Sequence, residues 1–266
     1  MTLSRYRIAI VGVAMLLSAC LASTQQEVEL GRQYAAQINE QLPIVQDAEI
    51  SRYINALGNQ IARAADDRGL EWQFYVVNDP AINAFAVPGG FIYVNRGLIE
   101  RAATLSELAG VMGHEIAHVT ERHSMERMRD ADRANLGVTA VCVLTGVCEG
   151  ALAGTAINVA AGAAFASFSR SDEEEADRVG ISHVVRAGIH PGGVPTMFER
   201  LLAERNRNPS AVEGWFSSHP LEEDRIRSTR AIISGYDEAI LDDLQRDSQA
   251  FQNFKRRVSQ LPSAGR

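Results

Sequence analysis

The stretch GVMGHEIAHVTERH, Gly110 to His123, decides how the whole chain is read. It sets two histidines and a glutamate inside an apolar run, where titratable groups are normally unwelcome because burial strips their hydration. Helical spacing makes sense of it. His114 and His118 are one turn apart, so both imidazoles project from one face and can hold one ion. Glu115 adjoins the first, placed to touch a water on that ion without occupying it. Neutral imidazoles with a carboxylate suit zinc, and three protein ligands leave one position open. Water there has its pKa drawn down toward about 7, and Glu115 can take its proton as general base. The competing reading is an apolar helix that happens to carry two histidines. His123 points off the ligand face and is read as a supporting group, not a ligand.

A third ligand must come from elsewhere. Residue 124 is Ser, so no histidine fills the downstream position of an HExxHxxGxxH pattern. The run SRSDEEEADRVG offers Asp172, Glu173, Glu174, Glu175 and Asp177. Helical geometry separates them. Glu173 shares a face with Ala176, Asp177, Gly180 and Val184, a stripe of small or apolar residues that can approach the zinc helix closely. Glu174 and Glu175 lie on more polar stripes, as expected of a solvated helix N-terminus. Glu173 is therefore the expected ligand. Asp177 is expected to fix the tautomer of a ligand histidine.

The surrounding pattern is mostly helical. Residues 24–66 read as two helices punctuated by Pro43 and Asp47. WQFYVV, residues 72–77, reads as a strand, and NAFAVPGGFIYVN, residues 83–95, as a hairpin turning at Pro88-Gly89-Gly90. Thr104 with Glu107 has capping-box spacing and predicts one long helix running to about Arg129. The Ala-, Gly- and Val-rich residues 134–169 read as a buried helical hairpin in preference to a membrane-dipping one. A further helix starts near Asp172, another runs from Gly193 to about Asn206, and the loop PSAVEGWFSSHP leads into a helix at Leu221. The last forty residues read as amphipathic helix.

HEIAH, SFSRSDEEEADRVG, SSHPLEEDRI and NAFAVPGGFIYVNRGLI together resemble the HtpX and CAAX-prenyl-protease-like zinc metallopeptidases over roughly residues 45 to 235. These are gluzincins whose third ligand is the Glu of an E-x-x-x-D motif. In this chain that implies Glu173 and Asp177, in agreement with the face argument. The resemblance implies an α+β fold, mostly helical and zincin-like, with a small β-sheet lining the active-site cleft. It implies one Zn2+ per chain and a zinc endopeptidase acting on protein or peptide substrates. It points to the exported lipoprotein branch, without the transmembrane helices of membrane-embedded members and without a C-terminal repeat domain. A late family motif matches His219-Pro220 with Arg225. His219 is then expected to reach the open zinc position, stabilise an oxyanion or bind substrate, which puts it beside Glu115 and Asp177 in the catalytic group. Arg225 is expected to contact substrate, as are Asn83, Ala84 and Phe85 if the strand beginning there is an edge that pairs with an extended peptide. The bland alternatives are a structural His–Arg pair and a plain hairpin.

The N-terminus reads as a targeting segment. Arg5 and Arg7 precede an apolar run from Ile8 to Leu17, too short to span a bilayer, and Leu17-Ser18-Ala19-Cys20 resembles a lipobox. Residues 1–19 are thus expected to be a signal peptide, residues 20–45 a lipidated N-terminus and leading helix, and residues 46–266 a single peptidase domain. Leu21 after the lipidated Cys20 points by bacterial sorting rules to the outer membrane, facing the periplasm. Cys142 and Cys148 are either a disulfide or two small buried thiols. A net charge of −7 and the absence of a basic patch argue against nucleic acid as a partner. With 46% hydrophobic residues in 266, the chain can bury a core. The rival functional class is a zinc-binding periplasmic chaperone or assembly factor with little or latent proteolysis.

Overall fold

The computed structural model describes residues 23–133, 167–220 and 223–263. The expected signal peptide, Cys20, Cys142, Cys148 and residues 134–166 of the expected hairpin lie outside the described residues.

The two leading helices form where their caps place them. Ser23 and Gln26 make a reciprocal capping box that opens α1, Thr24–Gln41. Asp47 accepts from the Glu49 and Ile50 amides to open α2, Ala48–Ala65. Ile50, Ile54, Leu57 and Ile61 then bury one face of α2. The strands β1 (Gln73–Val77), β2 (Ala84–Val87) and β3 (Phe91–Asn95) make one mixed sheet in the order β1-β3-β2. β3 is central and buried along its whole length, parallel to β1 and antiparallel to β2. The expected hairpin is present. Its turn needs Gly89 and Gly90, whose φ angles of +83° and +101° penalise any side chain.

After α3 (Arg96–Arg101), the helix α4 (Leu105–Thr120) runs through the middle of the protein, with every residue from Leu105 to Val119 buried. Two expectations about it change. The Thr104 hydroxyl accepts from the Glu107 amide at 3.3 Å, but the Glu107 carboxylate accepts from the Ala103 amide at 2.6 Å and from Arg200 at 3.0 Å. Only half of the capping box forms, because the Glu107 carboxylate is taken up by the Ala103 amide and by Arg200 from a distant helix. Nor does the helix continue to Arg129. It closes at Glu121, Arg122 takes φ +61°, and α5 (His123–Arg133) starts in a new direction.

Helix α6 (Arg170–Arg186) packs along α4, opened by a Ser169–Asp172 capping box. Contact is closest at Gly113 and Gly180, where a Cβ on Gly180 would lie 3.0 Å from the Gly113 carbonyl and the His114 amide. Then follow α7 (Gly193–Arg207), a 3-10 turn at Pro209–Ala211, α8 (Glu213–Ser218), α9 (Glu223–Ile233), α10 (Glu238–Asp242) and α11 (Gln249–Ser259). The stretch expected to be a loop before His219 thus holds a short helix. The main core lies between α2, α4, α6, α7 and one sheet face, and a smaller cluster around Tyr93 gathers Tyr34 of α1 and Met128 of α5. The architecture is the expected one, mostly helical with a small mixed sheet. Among the described residues, no helix is long and apolar enough to cross a membrane.

Candidate metal centre

Four buried side chains converge where α4, α6 and the end of α8 meet. One ligand atom from each of His114, His118, Glu173 and His219 lies within 4.8 Å of all the others. His114 Nε2 and His118 Nε2 are 3.0 Å apart, as one-turn spacing on α4 requires. The Glu173 carboxylate faces both, 3.5 Å from His114 Nε2 and 3.3 Å from His118 Nε2. His219 Nδ1 comes within 3.0 Å of Glu173 and 3.4 Å of His114 Nε2.

Glu173, Ala176, Asp177, Gly180 and Val184 are all buried, whereas Glu174 is exposed and Glu175 half-buried. The small residues bring α6 near enough for Glu173 to reach across. Asp177 Oδ1 lies 3.0 Å from His114 Nδ1, the ring nitrogen facing away from the cluster, though the approach is too oblique to leave Nδ1 with a well-formed hydrogen bond. Arg225 joins the two carboxylates. It donates to Asp177 through Nε at 2.8 Å and Nη2 at 2.7 Å, and also to Glu173 and the Pro220 carbonyl. Its guanidinium lies over the Phe198 ring.

The electrostatics follow from crowding in a dry place. Burial alone would lower His114, but Glu173 and Asp177 outweigh it and raise its pKa to about 9. Burial, with the neighbouring His114 and His219, holds His118 well below the usual imidazole range. Burial would push Glu173 up, yet the facing histidines hold it well below the usual carboxylate range. Burial pushes the Glu115 carboxyl up, although His219 and His114 oppose it. Among the described residues neither oxygen of the fully buried Glu115 carboxylate has a well-formed hydrogen bond, although the Ala86 amide faces it and His219 Nε2 stands 3.4 Å away. Such orphans are rare in proteins and mark places where water, an ion or a ligand completes the site. Trp215 Nε1 and Asn83 Oδ1 are likewise buried without a partner among the described residues. Three imidazoles and a carboxylate with nitrogens and oxygens turned inward form a donor set that suits Zn2+, so the residues fit the ion.

The remaining expected residues sit as follows. Ala84 and Phe85 begin β2, one of the two edge strands of the sheet, and Asn83 immediately precedes it. Asn95 N donates to Asn83 O at 2.9 Å, so Asn83, Phe85 and Val87 turn their backbone groups toward β3, and Ala84 and Ala86 turn theirs outward. This strand packs against α4, and the Ala86 amide faces Glu115. His123 is not among the four donors, yet its Nδ1 lies 2.9 Å from His118 Nδ1. Several contributors escape a reading of the sequence. Phe168 stacks on His118 and Trp215 on His219, with ring centroids 3.8 and 4.7 Å apart. Trp215 stands four residues before His219, a helical-turn spacing that was visible in the sequence. Phe168 carried no such signal.

Residues 48–233 match peptidase family M48. The chain is 34% identical over 217 residues to the beta-barrel assembly-enhancing protease of Escherichia coli O157:H7, covering 78% of this chain and 44% of that protein. It is 30% identical over 175 residues to the mitochondrial metalloendopeptidase OMA1 of Schizosaccharomyces pombe, covering 66% of this chain and 50% of that protein. It is 28% identical over 185 residues to the metalloprotease YcaL of Escherichia coli strain K12, covering 70% of this chain and 69% of that protein. The chain thus spans less than half the length of the assembly-enhancing proteases it matches. With the match covering most of the chain and the paired histidines and distant glutamate inside it, the chain belongs to peptidase family M48.

Proposed function

We propose that this protein is a zinc-dependent endopeptidase acting on envelope proteins, chiefly misfolded or misassembled ones. The observation that carries it is the buried cluster of His114, His118 and Glu173 beside a buried Glu115 that lacks a well-formed hydrogen bond among the described residues. His114, His118 and Glu173 would hold the ion. When bound, zinc supplies Lewis acidity, drawing charge from an attacking water and from the scissile carbonyl. Glu115 takes the proton from that water and returns it to the leaving amine nitrogen, and burial suits it to the task by raising its proton affinity. Asp177 faces the outward nitrogen of His114 and is placed to orient the ring when its Nε2 holds the ion. Arg225 locks Asp177 and Glu173 in place, so we read it as a positioning residue and not as a substrate contact. The outward backbone groups of Ala84 and Ala86 offer an edge on which an extended peptide lies beside Glu115.

The envelope setting rests on the lipobox-like Leu17 to Cys20 and on relatives named for enhancing β-barrel assembly. On this reading Cys20 bears lipid and anchors the protein at the outer membrane, facing the periplasm. Incorporation of labelled palmitate by wild type but not by Cys20→Ala tests it.

Glu115→Gln should cut casein about 100- to 10,000-fold more slowly while still binding zinc. Chelation should abolish cleavage and added zinc restore it. Full cleavage by Glu115→Gln overturns the mechanism. One observation favours the second reading, a latent protease or assembly factor: His219 stands as a fourth donor where substrate would need access. If so, His219→Ala should cleave faster than wild type. If neither cleaves anything and Glu115→Gln still complements a deletion strain, the assembly-factor reading prevails.

A further inference from the structure

Glu27 lies on α1, far from the metal centre in sequence, and is 1% exposed. Its Oε2 accepts a hydrogen bond from Arg68 Nη1 at 2.9 Å and forms an ion pair with Arg122, whose Nε lies 2.9 Å away at an angle too oblique for a hydrogen bond. A buried carboxylate needs such compensation, but the identity of these partners is informative. Arg68 also donates through Nη2 to the Val119 carbonyl at 2.8 Å, in the last turn of the helix that carries His114 and His118. Arg122 is the left-handed residue at which that helix breaks, and among the described residues it alone, apart from glycines, has a positive φ. Left-handed backbone is costly for a residue with a side chain and persists only where the surroundings hold it. Here Glu27 pairs with the Arg122 side chain, Arg68 ties Glu27 to the Val119 carbonyl, and the Arg122 backbone donates to Val119 and accepts from Glu126.

The break has a consequence at the metal centre. Had α4 continued unbroken, residue 123 would stand off the ligand face. The reversal at Arg122 instead brings His123 Nδ1 to 2.9 Å from His118 Nδ1. A histidine that offers Nε2 to a metal carries its proton on Nδ1 and needs an acceptor there. His123 supplies that acceptor through its own Nδ1 and turns its Nε2 toward Glu175 at 3.5 Å.

We propose that Glu27 is a positioning residue for the metal centre: through Arg122 and Arg68 it holds the break after α4, and the break sets His123 against His118. The leading helix is thereby part of the metal site's support. The tip of the β2–β3 hairpin seats on the same helix, since a Cβ on Gly89 would lie 2.8 Å from Val28 Cα and one on Gly31 would collide with the Pro88 carbonyl.

The inference rests on the zinc reading above, and zinc affinity tests both separately. Competition titration against a chromogenic chelator should show Glu27→Gln binding zinc about 10-fold more weakly than wild type. Arg122→Ala, which removes the link to Glu27 and leaves the left-handed backbone its cost, should lose as much. Tyr34→Ala loosens the same helix without touching the network, so it should lower the Tm and leave zinc affinity as in wild type. In zinc-loaded protein labelled with 15N-histidine, the His118 Nδ1–H resonance should shift or broaden in Glu27→Gln and not in Tyr34→Ala. Wild-type affinity in Glu27→Gln or Arg122→Ala overturns the proposal and leaves the metal site standing. Equal weakening by Tyr34→Ala overturns it as well, by reducing Glu27 to general packing. A wild type that binds no zinc overturns both readings.

Discussion

His183 shows at the scale of one residue how closely α6 and α4 are joined. It is buried, its Nδ1 has no partner among the described residues, and its ring faces the Gly113 carbonyl. Burial, helped by Arg186, pushes its pKa down to about 4. The unfolded chain takes up this proton near pH 6.5, whereas the folded protein refuses it until about pH 4. Its stabilising effect is therefore complete above pH 6.5 and is lost as pH falls from 6.5 to 4. The full window is on the order of 3 kcal/mol. His183→Gln keeps a donor for Gly113 and removes the titration. Urea unfolding of metal-free protein at pH 7.5 and 4.5 should show the variant losing less stability than wild type. Parallel losses in the two proteins would remove His183 from the acid response.

At the scale of elements, the decisive contact is α4 on α6. Helix axes approach this closely only where side chains are missing, and Gly113 faces Gly180 across the contact. A methyl group on Gly180 meets backbone, which cannot rotate aside. Gly180→Ala should therefore cost about 1–3 kcal/mol in stability. It should also weaken zinc binding, because Glu173 and Asp177 ride on the displaced helix. Chemical denaturation and zinc titration measure the two effects, and an unchanged zinc affinity would show that the ligand distance tolerates the shift. The small stripe of Ala176 and Gly180 was legible in the sequence because a helix face obeys a fixed period. The end of α4 was not. The pattern VTERHSMERMR continues to read as helix, and the residue that stops it is held by Glu27, 95 positions away.

For the molecule as a whole, the metal centre joins three separate parts of the chain: α4, α6 and the turn after α8. An ion bound there bridges them and does not bind the unfolded chain comparably. Zinc at 100 times its Kd should then stabilise by about 2.7 kcal/mol. In a protein of this size that raises Tm by about 5–10 °C. Thermal unfolding with and without a chelator checks this, and a Tm indifferent to zinc would contradict a site that spans these helices.

The sequence by itself determined the paired histidines, the adjacent glutamate, the carboxylates facing them, the hairpin and the helical setting. Each depends on short-range spacing along a helix or strand, which local stereochemistry imposes wherever the segment ends up. Only the tertiary structure decided that His219 joins the donor set, that Arg225 holds two carboxylates, that Trp215 and Phe168 flank the imidazoles and that the metal-binding helix breaks at Arg122. Those choices depend on which buried charges and rings meet across tens to hundreds of residues, and the meeting is settled by packing, which no local period encodes.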